Sequence, residues 1–237
     1  KSMTLLVNYT VSMNTPSGAG SYQGEYRVWL ESQDVAANQS TVRWEFGIRK
    51  LKGSGRWSAE TNLWNVIING SEVASGNAHY NFDTVSHDGV PGMGGWIILS
   101  AGTAVVGHGT TGALAFNAHA NWADNAANLM AFTAGPTTGN NVTVTPIPRA
   151  TQPTATPNPV YESNPVTINL PRADPAFTHD VTWASGSLSG TIATGVGTSC
   201  TWTPDSSILD EWPGQDQAPI TITAVTKNGA TTVGSKS

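Results

Sequence analysis

The stretch Thr41-Val42-Arg43-Trp44-Glu45-Phe46-Gly47-Ile48-Arg49 interleaves four apolar side chains, Val42, Trp44, Phe46 and Ile48, with residues that are polar or small. Successive side chains leave a strand on opposite sides, so apolar residues at every second position define one face of a β-strand. Such a strand has one dry face and one wet face, the pattern of an antiparallel sheet that covers a core on one side. Upstream, Tyr26, Val28 and Leu30 alternate with Arg27, Trp29 and Glu31 in the same way. Downstream, Leu114, Phe116, Ala118, Ala120 and Trp122 form another long alternating row. Asn69-Gly70, between the apolar stretch Trp64 to Ile68 and the segment around Val73, is a pair that favours the positive backbone angles of a type I′ hairpin. Helical periodicity is hard to find. Together these signals predict an all-β chain whose first domain is an antiparallel β-sandwich of jelly-roll-like kind, since an open α/β sheet would require crossover helices.

The composition changes after Thr145. Pro146, Pro148, Pro153, Pro157, Pro159 and Pro165 fall close together and remove backbone donors that a central strand needs. A domain boundary is therefore expected near Arg149, giving a sandwich over residues 1–148 and a smaller Ig-like sandwich over residues 149–237. In the second domain Val166 to Leu170, Thr178 to Trp183, Ser199 to Thr203 and Ile220 to Thr226 read as strands, and Asn228-Gly229 as a hairpin turn. Pro204 to Leu209 is predicted to form one helical turn, with Thr203 as its cap and Pro204 at its first position. Both ends of the chain are expected to belong to a longer polypeptide, the Ig-like domain being truncated at its C-terminal end.

Only 11% of residues are charged, against roughly a quarter in ordinary soluble domains, so the surface is neutral and rich in hydroxyl and amide groups. Eleven Lys and Arg against 16 Asp and Glu give a net charge of -5 with no basic run, which argues against a nucleic-acid partner. The longest apolar runs, such as Trp96 to Leu99, fall far short of the roughly twenty residues of a membrane span, so no membrane insertion is expected. Cys200 stands alone, which excludes an internal disulfide and a cysteine-based zinc site and leaves a small apolar strand residue.

Candidate chemistry is sparse. Asp83, Asp88 and Asp124 each have turn-forming neighbours and read as turn residues rather than as the paired carboxylates of a glycosidase. His79, His87, His108, His119 and His179 lack metal-site spacing, except that strand pairing could bring His108 near His119. Ser54, Ser75 and Ser185 lie beside glycine without a nucleophile-elbow pattern, and Gly107-His108-Gly109 lacks the features of a phosphate loop. No catalytic residue, metal or cofactor is assigned, and the chain reads as a non-enzyme. Nine Trp invite a carbohydrate reading, but Trp44, Trp183 and Trp202 occupy core-facing positions, whereas Trp29, Trp57, Trp96 and Trp212 are candidates for exposure.

Three strings carry a family resemblance: Thr145-Pro146-Ile147-Pro148-Arg149-Ala150, Pro171-Arg172-Ala173-Asp174-Pro175-Ala176-Phe177-Thr178-His179-Asp180-Val181-Thr182-Trp183, and Gly190-Thr191-Ile192-Ala193-Thr194-Gly195-Val196-Gly197-Thr198-Ser199. With Trp202-Thr203-Pro204 and Gly234-Ser235-Lys236-Ser237, the chain resembles siphophage minor tail or tail-fibre structural proteins, which join a sandwich domain to an Ig-like repeat through an Ile-Pro-Arg linker. The resemblance implies a virion location in the phage tail and partnership with other phage tail proteins; low charge and aromatics expected to be exposed predict a homo-oligomer, a trimer if the fibre analogy holds. It brings no catalytic residues. The rival readings are a secreted bacterial carbohydrate-binding or adhesin module and a glycan-cleaving tail enzyme. Contact with a host cell-wall glycan would use an exposed aromatic beside polar groups, and Trp57, its neighbour Arg56 and Trp96 are the candidates.

Overall fold

The computed structural model describes residues 3–13, 20–53, 62–78, 96–123 and 131–237. They fall into two units. The first takes the described residues of Lys1–Gln33, Gln39–Gly107 and Leu114–Thr145; the second takes Asp34–Asn38, His108–Ala113 and Pro146–Ser237.

The strands of the first unit are β1 (Thr4–Met13), β2 (Gly20–Asp34), β3 (Gln39–Gly53), β4 (Asn62–Ile68), β5 (Ser71–Ala78), β6 (Trp96–Gly107), β7 (Leu114–Phe116), β8 (Ala118–Ala123), β9 (Phe132–Ala134) and β10 (Val142–Val144). One four-stranded sheet has the order β1-β2-β3-β6, a second has the order β5-β4-β8-β9, and β10 pairs with β7. Val42, Trp44, Phe46 and Ile48 are buried while Thr41, Arg43, Glu45 and Arg49 stay partly exposed, as the alternation predicts. From the second sheet, Val66, Ile68, Ala120, Trp122 and Phe132 meet them in one core. The sheets approach closely at Gly24 of β2, where a Cβ would stand 2.3 Å from the Phe132 ring of β9.

Asn69 and Gly70 have φ of 52° and 77°, the two positive angles that a type I′ turn between β4 and β5 requires. The long row from Leu114 to Trp122 keeps its buried face throughout but divides at Asn117, with β7 on β10 and β8 on β4 and β9. Two asparagines make the division possible. Asn117 Nδ2 donates to the carbonyls of Pro136 and Gly139, each at 2.8 Å. The Asn141 amide accepts from Ala118 N–H and donates to Ala118 C=O, both at 2.8 Å, replacing the ladder partners that Ala118 gives up at the switch.

In the second unit the elements are β11 (Thr154–Thr156), β12 (Val166–Asn169), β13 (Phe177–Ser185), β14 (Leu188–Val196), β15 (Ser199–Trp202), α1 (Ser207–Asp210), β16 (Thr221–Asn228) and β17 (Thr231–Lys236). Sheets β11-β12-β15 and β14-β13-β16-β17 give the seven-stranded, two-sheet plan of an Ig-like sandwich, with β14 remaining beside β13. Val166, Ile168, Leu170, Val181 and Ala224 form its core. Trp183 of β13 stacks on Trp202 of β15 with ring centroids 5.4 Å apart, tying the two sheets together. Within β13, His179 is fully buried; its Nδ1 faces the Gly197 carbonyl and its Nε2 the Thr151 hydroxyl, both at 2.8 Å. A carbonyl can only accept, so Nδ1 carries a proton and donates to Gly197.

Two local expectations shift. Helix α1 begins after Ser206 rather than at Thr203, because Asp205 Oδ1 takes the Ser207 N–H at 2.8 Å and sets the first turn there. In the β16–β17 hairpin Asn228 pairs with Thr231, so the central residues are Gly229 and Ala230, and only Gly229 has a positive φ.

Three tryptophans lie directly opposite glycine on a neighbouring strand: Trp44 opposite Gly102, Trp64 opposite Gly76, and Trp183 opposite Gly190. A Cβ on any of these glycines would stand 2.8–2.9 Å from the indole. Within β6, Gly102→Ala is expected to cost about 1–3 kcal/mol through overpacking, whereas Gly107→Ala, whose added carbon meets nothing within 4 Å, should stay within about 0.5 kcal/mol of wild type. Urea unfolding followed by tryptophan fluorescence measures both; equal losses would refute the assigned packing.

Candidate functional site

The wet face of the sheet β5-β4-β8-β9 carries a polar row. Pairing sets Ser75 opposite Asn65, Asn65 opposite Asn121, and Asn121 opposite Thr133, so the row crosses all four strands. It is also bonded from end to end. Thr133 Oγ1 donates to Asn121 Oδ1 at 2.8 Å, Asn121 Nδ2 donates to Asn65 Oδ1 at 2.8 Å, and Asn65 Nδ2 donates to Glu72 Oε2 at 3.0 Å. The Ser75 hydroxyl also bonds the Glu72 carboxylate.

Leu63, Ala123 and Asn77 extend the row into a shallow groove of about 470 Å³, a volume within the range of small-ligand sites. Leu63 is 52% exposed and supplies an apolar wall. A second hollow, about 400 Å³, lies in the other unit along Thr154, Ala155 and Ile222 and has no charged side chain in its lining.

Glu72 is held below the ordinary carboxylate value, first by the Ser75 hydroxyl and then by the Asn65 amide, which favour the charged form. It is therefore an anionic acceptor at neutral pH. Among the described residues Glu72 is the only acidic side chain that lines the groove, and beside it the lining offers amide and hydroxyl hydrogen bonds. Among the described residues no three His, Cys, Asp or Glu side chains gather as a metal site.

Residues 20–237 match the family described as siphovirus protein of unknown function (DUF859). The chain belongs to that family. Comparison with curated proteins finds no match. The siphophage resemblance drawn from Thr145 to Ser199 and the family match therefore agree.

Sequence-derived candidates distribute unevenly over this siphovirus protein. Trp57 and Arg56, together with Ser54, His79, His87, Asp83, Asp88 and Asp124, lie outside the described residues. Trp96 opens strand β6 with its backbone opposite Arg49, so it is a strand residue rather than a loop residue. His108 Nδ1 meets the Gly112 carbonyl at 2.7 Å, and His119, whose burial lowers its pKa, meets Asn117 Oδ1 at 2.6 Å. Ser185 Oγ accepts from Trp212 Nε1 at 2.9 Å and donates to the Pro219 carbonyl at 2.8 Å, which makes it a structural hydroxyl. Cys200 is half-buried in β15, and burial pushes its thiol up, away from the reactive thiolate. Among the described residues no helix is long and apolar enough to cross a membrane.

The polar row was not singled out from sequence. Asn65 and Asn121 are 56 positions apart, and only strand pairing makes them neighbours. The available signal was period two itself, since Asn65 occupies the wet-face position beside buried Val66 and Asn121 the one beside buried Trp122.

Because Ser75 is the larger cause, Ser75→Ala should raise the Glu72 pKa toward its ordinary value of 4.5 by more than Asn65→Ala does. Folded Glu72 titrates below its unfolded value, so its contribution to stability is present above the unfolded pKa and is lost as pH falls through the folded one. Carboxyl carbon NMR across pH 2 to 7 reads the order of the two shifts, and the reverse order would refute it.

Proposed function

We infer that this siphovirus protein is a non-enzymatic structural component of the phage tail, of minor-tail or tail-fibre kind, that works with other tail proteins and helps bind the host surface. The observation that carries the reading is the groove on the first unit: oriented amides and hydroxyls around the Glu72 carboxylate suit holding a hydroxyl-rich surface polymer, and among the described residues no second carboxylate lines the groove to cleave one. Membership of a siphovirus family and a low-charge surface rich in hydroxyl and amide groups support a place in the virion. The two sandwiches serve as rigid spacers and display modules, and the tail association is a homo-oligomer, a trimer if the chain forms a fibre.

Trp57 and Arg56 are proposed as an additional host-glycan contact, and Trp96 as a further aromatic candidate, since flat rings stack on the apolar faces of sugars. Trp57→Ala should leave the melting temperature almost unchanged while lowering adsorption of virions to cells.

Antibody-gold labelling of purified virions should mark the tail, and a nonsense mutation in the gene should give particles with absent or adsorption-defective tails. Labelling confined to infected-cell extracts, with intact adsorbing virions formed without the protein, would overturn the assignment.

A further inference from the structure

We propose that the groove over Asn65, Glu72 and Asn121 binds an uncharged saccharide through adjacent hydroxyls and rejects glycans that carry phosphate or carboxylate. The proposal rests on the host-binding reading above and names the ligand class for its site.

The end of the polar row fixes the direction of every bond in it. An ionised carboxylate can only accept, so Glu72 draws the nitrogen of Asn65 toward itself, and Asn65 Oδ1 must face the other way. That oxygen then receives Asn121 Nδ2, and Asn121 Oδ1 receives the Thr133 hydroxyl. Each amide nitrogen donates one hydrogen within the row and keeps a second, while the two oxygens of the Glu72 carboxylate have lone pairs beyond those that Asn65 and Ser75 take. The face thus presents two N–H donors on adjacent strands, about 4.8 Å apart, with an anionic acceptor at one end.

Few ligands satisfy both. A phosphate or uronate accepts from the amides but is repelled by Glu72. An amine donates to Glu72 but cannot accept from Asn65 or Asn121. A hydroxyl does both, and neighbouring hydroxyls on a sugar ring can give to the carboxylate while accepting from an amide. Leu63, 52% exposed at the rim, offers an apolar surface for the C–H face of the same ring. Hydrogen-bond and charge complementarity therefore select one ligand class.

Side-chain amide resonances of Asn65 and Asn121 in ¹⁵N-labelled protein provide the readout, with maltose, lactose and chitobiose as uncharged probes and glucose 6-phosphate and digalacturonate as anionic ones. At least one uncharged disaccharide is expected to shift both amides in a saturable way, and neither anionic probe should. Glu72→Gln, at an exposed position, should keep the backbone spectrum and weaken that binding at least tenfold. Equal or tighter binding of an anionic probe would overturn the proposal, as would Glu72→Gln binding like wild type. Silence of both amides toward every uncharged probe would also overturn it; if the protein still adsorbs to host cell walls, host binding survives and lies elsewhere on the molecule. Loss of adsorption altogether would instead remove the host-binding reading.

Discussion

An indole in a two-sheet sandwich needs space that its own strand cannot supply. Facing sheets stand about 10 Å apart, and a Trp directed into that gap competes with the residue opposite it on the neighbouring strand. Here the conflict is resolved the same way three times, by glycine opposite Trp44, Trp64 and Trp183. Glycine in a strand is a weak point because it packs nothing and costs backbone entropy. The indole laid across it covers the bare backbone, so one side chain fills two positions. Among the described residues the buried Nε1 atoms of Trp44, Trp64 and Trp122 find no hydrogen-bond partner, and these residues serve the core by area rather than polarity. Trp212 differs: it gives its N–H to Ser185 and holds the segment after α1 to the end of β13.

Low charge has a second structural consequence. Beside the cross-strand ion pairs of Arg49 with Glu25 and of Lys227 with Asp180, many of the links here are made by amides and hydroxyls. Asn141 closes the break between β7 and β8 and also donates to the Tyr9 hydroxyl at 2.9 Å. Asn38 Nδ2 donates to the carbonyls of His108 and Gly109 inside the second unit. Thr151 is tied to β13 and β16 by buried bonds with the His179 ring and the Thr226 hydroxyl. Asn38 and Asn141 each open an Asn-x-Ser or Asn-x-Thr triplet, and both side chains already have structural bonds.

What the sequence made legible was the part of the fold encoded by neighbours. Alternation at Val42 to Ile48 and the Asn69-Gly70 turn depend on a few consecutive residues, and both appear where local rules place them. The switch at Asn117 was hidden because the buried face never changes there; the row looks continuous although its hydrogen-bond partners differ on either side. The start of α1 was misplaced for a related reason. Thr203 and Asp205 are both able caps, and the choice between them belongs to tertiary context: Pro204 is buried, and its carbonyl accepts the Ser163 N–H at 3.1 Å. The short segments Asp34–Asn38 and His108–Ala113 belong to the second unit although they lie far from Pro146 in sequence, and composition carries no mark of that.

The groove illustrates why polar function on a β-sheet is harder to read than an apolar core. A core residue announces itself by alternation within its own strand. A wet-face residue gains meaning only from partners on other strands, and Asn65, Asn121, Thr133 and Glu72 come from four of them. Isolated, an exposed Asn has no preferred orientation, because its oxygen and nitrogen can exchange places at little cost. Joined to Glu72, that freedom disappears: the carboxylate orients the first amide, the first orients the second, and the second orients the Thr133 hydroxyl. A single charge, kept ionised by Ser75 and Asn65, thereby sets the donor pattern of a face more than two strands wide. The rigidity comes from the sheet and the polarity from its one anionic end, so the face is organised before any ligand arrives.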